Sequence, residues 1–394
     1  MIMDHLGRQR ANRQRTRKAS LSLIAGIILL GWAMFCVWEV RAAGVLIPGV
    51  SHPLRSRSTP LAPTCILNLT PSPTASPTPA PTALSTPEAI RLTSGGCCAY
   101  PAWSLDSRWV LFLDRPSQDA PAGLYSVPAN GGAVTLVHPR VGVYNADWTI
   151  LAYSQGERTI VERIADGARW SIPSEGNTVR FSPSSSFVTW DVTSSGISFP
   201  DLRQRGIWIA RRDGSGAREI VTVNGGNFIG WNAGEDAILV SGRLAPNSPG
   251  GIWRIAMADG AGRLLVEADR VRSALISPGG NWIAFIITFD PDPARNGLWL
   301  VRTDGTSIQK LDLFGAYRWR REGELLVIPM DMNAQGPSLW QVDAGTGEIT
   351  RLTDPKDTKL PIANNDWQPS PDGASIVFLS AQDRNLWLLP LPEP

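Results

Sequence analysis

Ile276-Ser277-Pro278-Gly279-Gly280-Asn281-Trp282-Ile283-Ala284-Phe285, followed by Gly297-Leu298-Trp299-Leu300 and then Asp304-Gly305, is a phrase that this chain repeats from about residue 100 onward. Proline fixes one φ and glycine accepts the left-handed region, so Pro-Gly-Gly ahead of an apolar run is a tight turn between two strands. Asp304-Gly305 marks a second tight hairpin. The phrase therefore describes four short antiparallel strands: a over residues 271–276, b over 282–288, c over 297–302 and d over 307–311. No segment of helical period interrupts them.

Two other copies are clear. Trp367-Gln368-Pro369-Ser370-Pro371-Asp372-Gly373 precedes Ile376-Val377-Phe378 and Leu386-Trp387, and Trp103-Ser104-Leu105-Asp106-Ser107-Arg108-Trp109 precedes Gly123-Leu124-Tyr125 and Asn130-Gly131. Aligning all copies gives anchors Trp103, Trp148, Phe181, Trp231, Ile276, Trp319 and Trp367. A unit of roughly 33 to 50 residues built only of short strands and Gly/Asp/Asn turns is a propeller blade. The expected fold is all-β, a seven-bladed β-propeller over residues 89–394, with six or eight blades the alternatives because the second unit lacks a full turn phrase. Tyr125, Trp208, Trp253, Trp299, Trp340 and Trp387 recur at one place in strand c, where a large ring is expected to fill the wedge between blades.

The chain stops just after a strand c, residues 385–390, with no strand d behind it, while Ala89-Ile90-Arg91-Leu92-Thr93 resembles the strand d at residues 348–353. The N-terminal segment is expected to complete the last blade and protect its open edge.

Ahead of the ring, residues 1–18 form a basic tail with Arg8, Arg10, Arg13, Arg15, Arg17 and Lys18 against Asp4 alone. Residues 19–40 are expected to be a single-pass signal anchor, long enough to cross a hydrocarbon core of about 30 Å, with the basic side cytoplasmic. A cleaved signal peptide ending near Val40 and Ala42, leaving a secreted protein, is the rival. Residues 41–88 form a Pro/Ser/Thr-rich linker that proline keeps out of helix and interior strand. Of the four cysteines, Cys65 is a candidate disulfide partner for Cys97 or Cys98 in an oxidising compartment. The net charge of +2 arises mostly from the tail and implies no nucleic-acid partner.

Residues 89–394 resemble the TolB-like and WD40-like β-propeller repeat family of bacteria, on the phrase aromatic-Ser-Pro-Asp-Gly followed by an apolar strand and a second strand opening Leu-Trp. The match is close at residues 367–387 and looser at Phe181-Ser182-Pro183-Ser184 and Trp231-Asn232-Ala233-Gly234. The resemblance implies protein-binding rings, with a related ring ahead of the catalytic domain in some serine peptidases.

The a–b and c–d turns share one face and are short; the b–c connections open on the other and are long, which marks that face for function. The residues there that suit recognition of a protein, peptide or glycan are Phe199, Asp201, Arg203 and Arg205, with Asp290, Asp292 and Arg295. No cofactor is expected; calcium at Asp290 and Asp292 is the weaker alternative, since two acids are too few oxygens. Histidines occur only at 5, 52 and 138, so a Ser-His-Asp system would need His138 and a multi-histidine metal centre cannot form in the ring. The expected function is a membrane-anchored extracytoplasmic binding or sensory scaffold, more readily a platform than an enzyme. The alternative is a propeller enzyme acting on glycans or lactones through axial carboxylates, drawn from Asp147, Asp191, Glu235 and Asp366, with a divalent cation as an optional part.

Overall fold

The computed structural model describes residues 88–96, 98–194, 203–245, 247–331 and 334–393, all within one compact unit, Ala80–Pro394. The basic tail, the anchor and the linker up to residue 87 lie outside the described residues. No helix among the described residues is long and apolar enough to cross a membrane.

Seven four-stranded antiparallel sheets make seven blades. Their innermost strands, a, are Ala99–Trp103, Val143–Tyr144, Arg180–Phe181, Phe228–Trp231, Val271–Ile276, Gly315–Arg321 and Ile362–Pro369. Each blade is amphipathic on both faces in the sense that its buried positions meet a neighbour. The apolar clusters accordingly span blade pairs, such as Ala284, Leu298 and Leu300 of blade 5 with Tyr317, Trp319 and Leu325 of blade 6.

The seam forms as the end patterns imply. Ile90–Arg91 lies antiparallel to Leu386–Pro390, with Ile90 opposite Leu388 and Arg91 opposite Trp387. Leu92 N–H donates to the Leu386 carbonyl at 2.8 Å, Leu386 N–H donates to Thr93 Oγ1 at 2.9 Å, and Arg91 pairs with Asp383 at 3.3 Å. Leu92 packs with Val377, Leu379 and Leu388 of blade 7 and with Trp103 and Phe112 of blade 1. Beyond the last strand, the buried Arg320 of blade 6 donates to the carbonyls of Gly373 and Pro392, each at 2.7 Å, holding the tail.

The a–b turns carry more than chain reversal. In six of the seven, a Ser or Asn side chain accepts from the N–H five residues on: Ser104, Asn145, Ser182, Asn232, Ser277 and Ser370. The seventh position holds Arg320, the tail clamp. Each turn also needs one left-handed residue, and these are Ser107, Trp148, Ser185, Glu235, Gly280, Gly323 and Gly373. Four are not glycine, at a backbone cost of about 1–2 kcal/mol each. Every one of those four side chains bonds the preceding blade. Ser107 Oγ accepts from Asp372 N–H at 3.1 Å, Trp148 Nε1 donates to the Trp103 carbonyl at 3.0 Å, and Ser185 Oγ accepts from Asn145 Nδ2 at 2.9 Å. Glu235 accepts from Ser184 N–H at 2.5 Å and from the hydroxyls of Ser182 and Ser184. At the junction of blades 5 and 6, Glu322 does the same for Ser277 Oγ and Gly279 N–H.

This geometry corrects one anchor. Asn145 N–H bonds to the Ile150 carbonyl and Trp148 N–H to the Asn145 carbonyl, so Trp148 stands at the left-handed turn position and Tyr144 is the anchor of blade 2. Asn-Ala-Asp-Trp here does the work of Ser-Pro-Asp-Gly, with the indole bond offsetting the loss of glycine. The turn phrase of blade 2 is therefore present in other residues, and the count of seven holds.

Removing residues 88–94 should strip the outer strand from blade 7 and lower the midpoint of thermal unfolding by on the order of 5 °C or more. An unchanged midpoint in a melt of the truncated chain would reject the seam.

Candidate functional site

The turn-to-turn bonds commit the a–b face to structure, and the longer loops lie on the b–c face. Its loops are held from below by the aromatics of strand c. Tyr125 Oη donates to the Pro121 carbonyl at 2.8 Å, Trp253 Nε1 to Gly242 at 2.9 Å and Trp299 Nε1 to Arg295 at 2.8 Å. Trp340 and Trp387 reach Ser338 Oγ and Asp383 Oδ1 in the same way. The tryptophans of this set are half-buried rather than sealed between blades, because the indole N–H must reach a loop.

Phe199 and Asp201 lie outside the described residues. Arg203 sits at the base of its loop, its carbonyl accepting from Gly225 N–H. Arg205 donates to Asn227 Oδ1 at 2.6 Å and stands 3.7 Å from Asp191. The structure brings Asp290, Asp292 and Arg295 together in one loop of blade 5, separated from Arg203 and Arg205 by blade 4. There Asp290 Oδ1 accepts from Asp292 N–H, Asp292 Oδ1 caps the short 3₁₀ turn Pro293–Arg295 through Ala294 N–H, and Arg295 lies 3.6 Å from Asp290. These groups brace their own loop.

The four carboxylates of the enzyme alternative do not converge. Asp147 accepts from Thr149 within the turn of blade 2, Glu235 links blades 3 and 4, and Asp191 is held by Arg180 at 3.0 Å. His138 lies on the outermost strand of blade 1, its Nδ1 3.3 Å from Tyr144 Oη. Asp366 differs from all of these: on the innermost strand of blade 7, it has no hydrogen-bond or ion-pair partner among the described residues.

Around Asp366 the inner strands depart from regular pairing. Strand a is bulged in blade 1 between Ala99 and Ala102, in blade 5 between Arg272 and Leu275, and in blade 7 between Ile362 and Trp367. Those bulges place Tyr100, Ser273, Asn364 and Asn365 in the left-handed region, at φ of 55°, 51°, 51° and 59°. Bulges re-aim side chains and gather beside working sites. On an innermost strand an exposed side chain can face only the axis or its mouth. Tyr100, 67% exposed, and Arg272, Ser273, Asn364 and Asn365 are the exposed residues at these bulges, and Asn365 Oδ1 accepts from Trp367 Nε1 at 2.7 Å. The blades are tied there: Tyr317 Oη donates to the Ser273 carbonyl, and Arg318 Nη2 donates to the Asn365 carbonyl at 3.2 Å. The Arg318 guanidinium also lies over the Trp367 ring, 5.4 Å from its centroid. Burial pushes the Asp366 carboxyl above its ordinary value, with Arg318 and Arg384 pulling the other way, and burial also lowers Arg318. The mouth thus joins a protonatable acid, two guanidinium groups, two amides and an open phenol ring. Among the site residues, sequence reasoning reached Asp366 alone. The bulges carry no motif, although Asn364-Asn365-Asp366 breaks the apolar alternation expected ahead of an anchor tryptophan.

No protein-family model and no curated protein matches the chain. Solved structures match its fold. An oligogalacturonate lyase in complex with manganese matches 79% of this chain and 99% of its own, at 13% identity and a TM-score of 0.55. The β-propeller domain of the trilobed protease from Pyrococcus furiosus matches over 75% and 96%, at 13% identity and 0.50. A putative TolB from Agrobacterium tumefaciens matches over 66% and 95%, at 16% identity and 0.39. The first two likenesses show a propeller fold shared at a distance, and none of the three assigns a WD40-like repeat family. They also correct the expectation that the ring is more readily a platform than an enzyme: propellers of this shape include a lyase and part of a protease. That expectation rested on the resemblance to protein-binding rings and on the scarcity of histidine, and a carboxylate can transfer protons without one. No three His, Cys, Asp or Glu side chains among the described residues come together.

The folded-state pKa of Asp366 lies above its ordinary 3.8, so this group supports folding below that pH and the support is lost as pH rises through the folded value. Asp366→Asn should therefore be more stable than the parent at pH 7, and the difference should vanish near pH 3. Denaturant melts across that range check it; a variant less stable at pH 7 would show the charged form to be the favoured one.

Proposed function

We propose that this protein is an extracytoplasmic propeller that binds and processes an acidic glycan at the b–c mouth of its axis. The observation that carries the reading is the pair of bulges on the neighbouring innermost strands of blades 7 and 1, which hold Asn364, Asn365, Asp366 and Tyr100, beside Arg318 of blade 6, which bonds the Asn365 carbonyl. An open phenol ring offers an apolar platform to the C–H face of a sugar. Amide side chains match paired hydroxyls, and Arg318 and Arg384 supply the positive field that a sugar carboxylate requires. Asp366 is the acid–base group, protonated more readily than an ordinary carboxylate and so able to give a proton to a leaving oxygen.

The lyase similarity lends support at the level of fold, its substrate being an acidic glycan by name. Placement outside the cytoplasm is supported by the basic tail ahead of an uncharged apolar run, and by the disulfide of Cys98, whose partner lies outside the described residues. The anchor at residues 19–40 and the linker at 41–88 would then set the reach of the ring from the membrane.

Titration calorimetry with oligogalacturonate and with a neutral glucan of equal length tests the reading. The acidic chain should bind and the neutral one should not. Tyr100→Ala should weaken binding roughly tenfold, and Asp366→Asn should keep binding while lowering turnover on the order of 100-fold or more. Failure to bind any of a panel of uronate-containing oligosaccharides, or binding indifferent to Tyr100→Ala, would reject this site.

A further inference from the structure

On the b–c face, blades 5 and 6 expose an apolar patch that the glycan reading does not use. Phe289 is 79% exposed, Met330 70% and Phe314 42%. Phe289 and Phe314 line one cavity of about 630 Å³ together with Ile287, Leu311 and Leu313. Met330 N–H donates to the Phe314 carbonyl at 2.8 Å, which sets Met330 beside the same opening. Phe289 also stands in the left-handed region, at φ 59°, where a bulky side chain is an outlier. The chain thus accepts backbone strain in order to hold a phenyl ring in water, and a ring so placed is a contact held in waiting.

The charge of the rim says what covers it. Lys310 Nζ is tethered by the Ala294 carbonyl at 2.7 Å, and Arg295 by the Glu267 carbonyl and Asp290, so two cations stand against the three carboxylates Asp290, Asp292 and Asp312. Asp312, which lines the cavity, is exposed and has no hydrogen-bond or ion-pair partner among the described residues, and Asp292 lies on the loop that Phe289 opens. The opening is apolar with unpaired negative charge at its edge. We infer that it docks a protein segment that presents an aromatic or aliphatic side chain flanked by lysine or arginine.

The test is selection of random linear displayed peptides on the immobilised full-length protein. Enriched peptides should pair an apolar residue with basic neighbours. Phe289→Ser and Asp312→Lys should each weaken their binding at least tenfold. Phe289→Ser should leave the thermal midpoint unchanged, since the ring is exposed and the left-handed backbone angle is carried by either residue. The inference is overturned if no peptide is enriched, if acidic flanks are enriched, or if selected peptides bind Phe289→Ser as tightly as the parent. Sedimentation that shows a dimer lost in Phe289→Ser would give the patch to a second copy of the chain and overturn it equally.

Discussion

The ring depends on a bond made between a–b turns, in which a side chain at or beside the left-handed position of one blade reaches the turn of the blade before it. Ser107, Trp148, Ser185 and Glu235 each accept an unfavourable backbone angle and each make such a bond. A glycine would relieve the angle and leave the bond unmade. The repeat is read most simply as a turn rule, yet four of its seven turns give up the glycine in favour of contact between modules. A propeller blade cannot bury both of its faces alone, so the advantage of an interblade bond exceeds the local cost.

Function follows from that commitment by exclusion and by geometry. One end of the axis is sewn together turn by turn; the other keeps its longer loops, pinned from strand c by indole and phenol groups that end on loop carbonyls. Loops held in this way can present side chains without repacking the blades. At the same end the innermost strands bulge, and the polar groups of blades 5, 6, 7 and 1 face the mouth instead of pairing regularly. The apolar patch at Phe289 sits on the same face, on the loops of blades 5 and 6.

The fold was legible because its signals are local. Pro-Asp-Gly, Pro-Gly-Gly and the Asp-Gly pairs state backbone angles directly, and the likeness of residues 89–93 to residues 348–353 exposed the seam. Blade 2 shows the limit: its turn is built from Asn145, Asp147 and Trp148, and recognising it requires knowing that Asn145 can replace serine and that an interblade indole bond can replace glycine. The site was less legible. Asp290, Asp292 and Arg295 suggest a recognition patch because charge in a long loop does so, and the sequence does not show that these groups also bond one another and the Glu267 carbonyl. A bulge has no sequence motif, so Tyr100 and Ser273 could not be seen as axial residues before the strands were paired.

The central claim is that the left-handed side chains join blades and are kept for that reason. The direct measurement is the unfolding free energy of Glu235→Gly at neutral pH. On local backbone grounds glycine should stabilise this turn by about 1 kcal/mol. The interblade account predicts a net loss of about 1 kcal/mol or more, because Ser182 Oγ, Ser184 N–H and Ser184 Oγ lose a charged acceptor together. A variant as stable as the parent, or more stable, would contradict it.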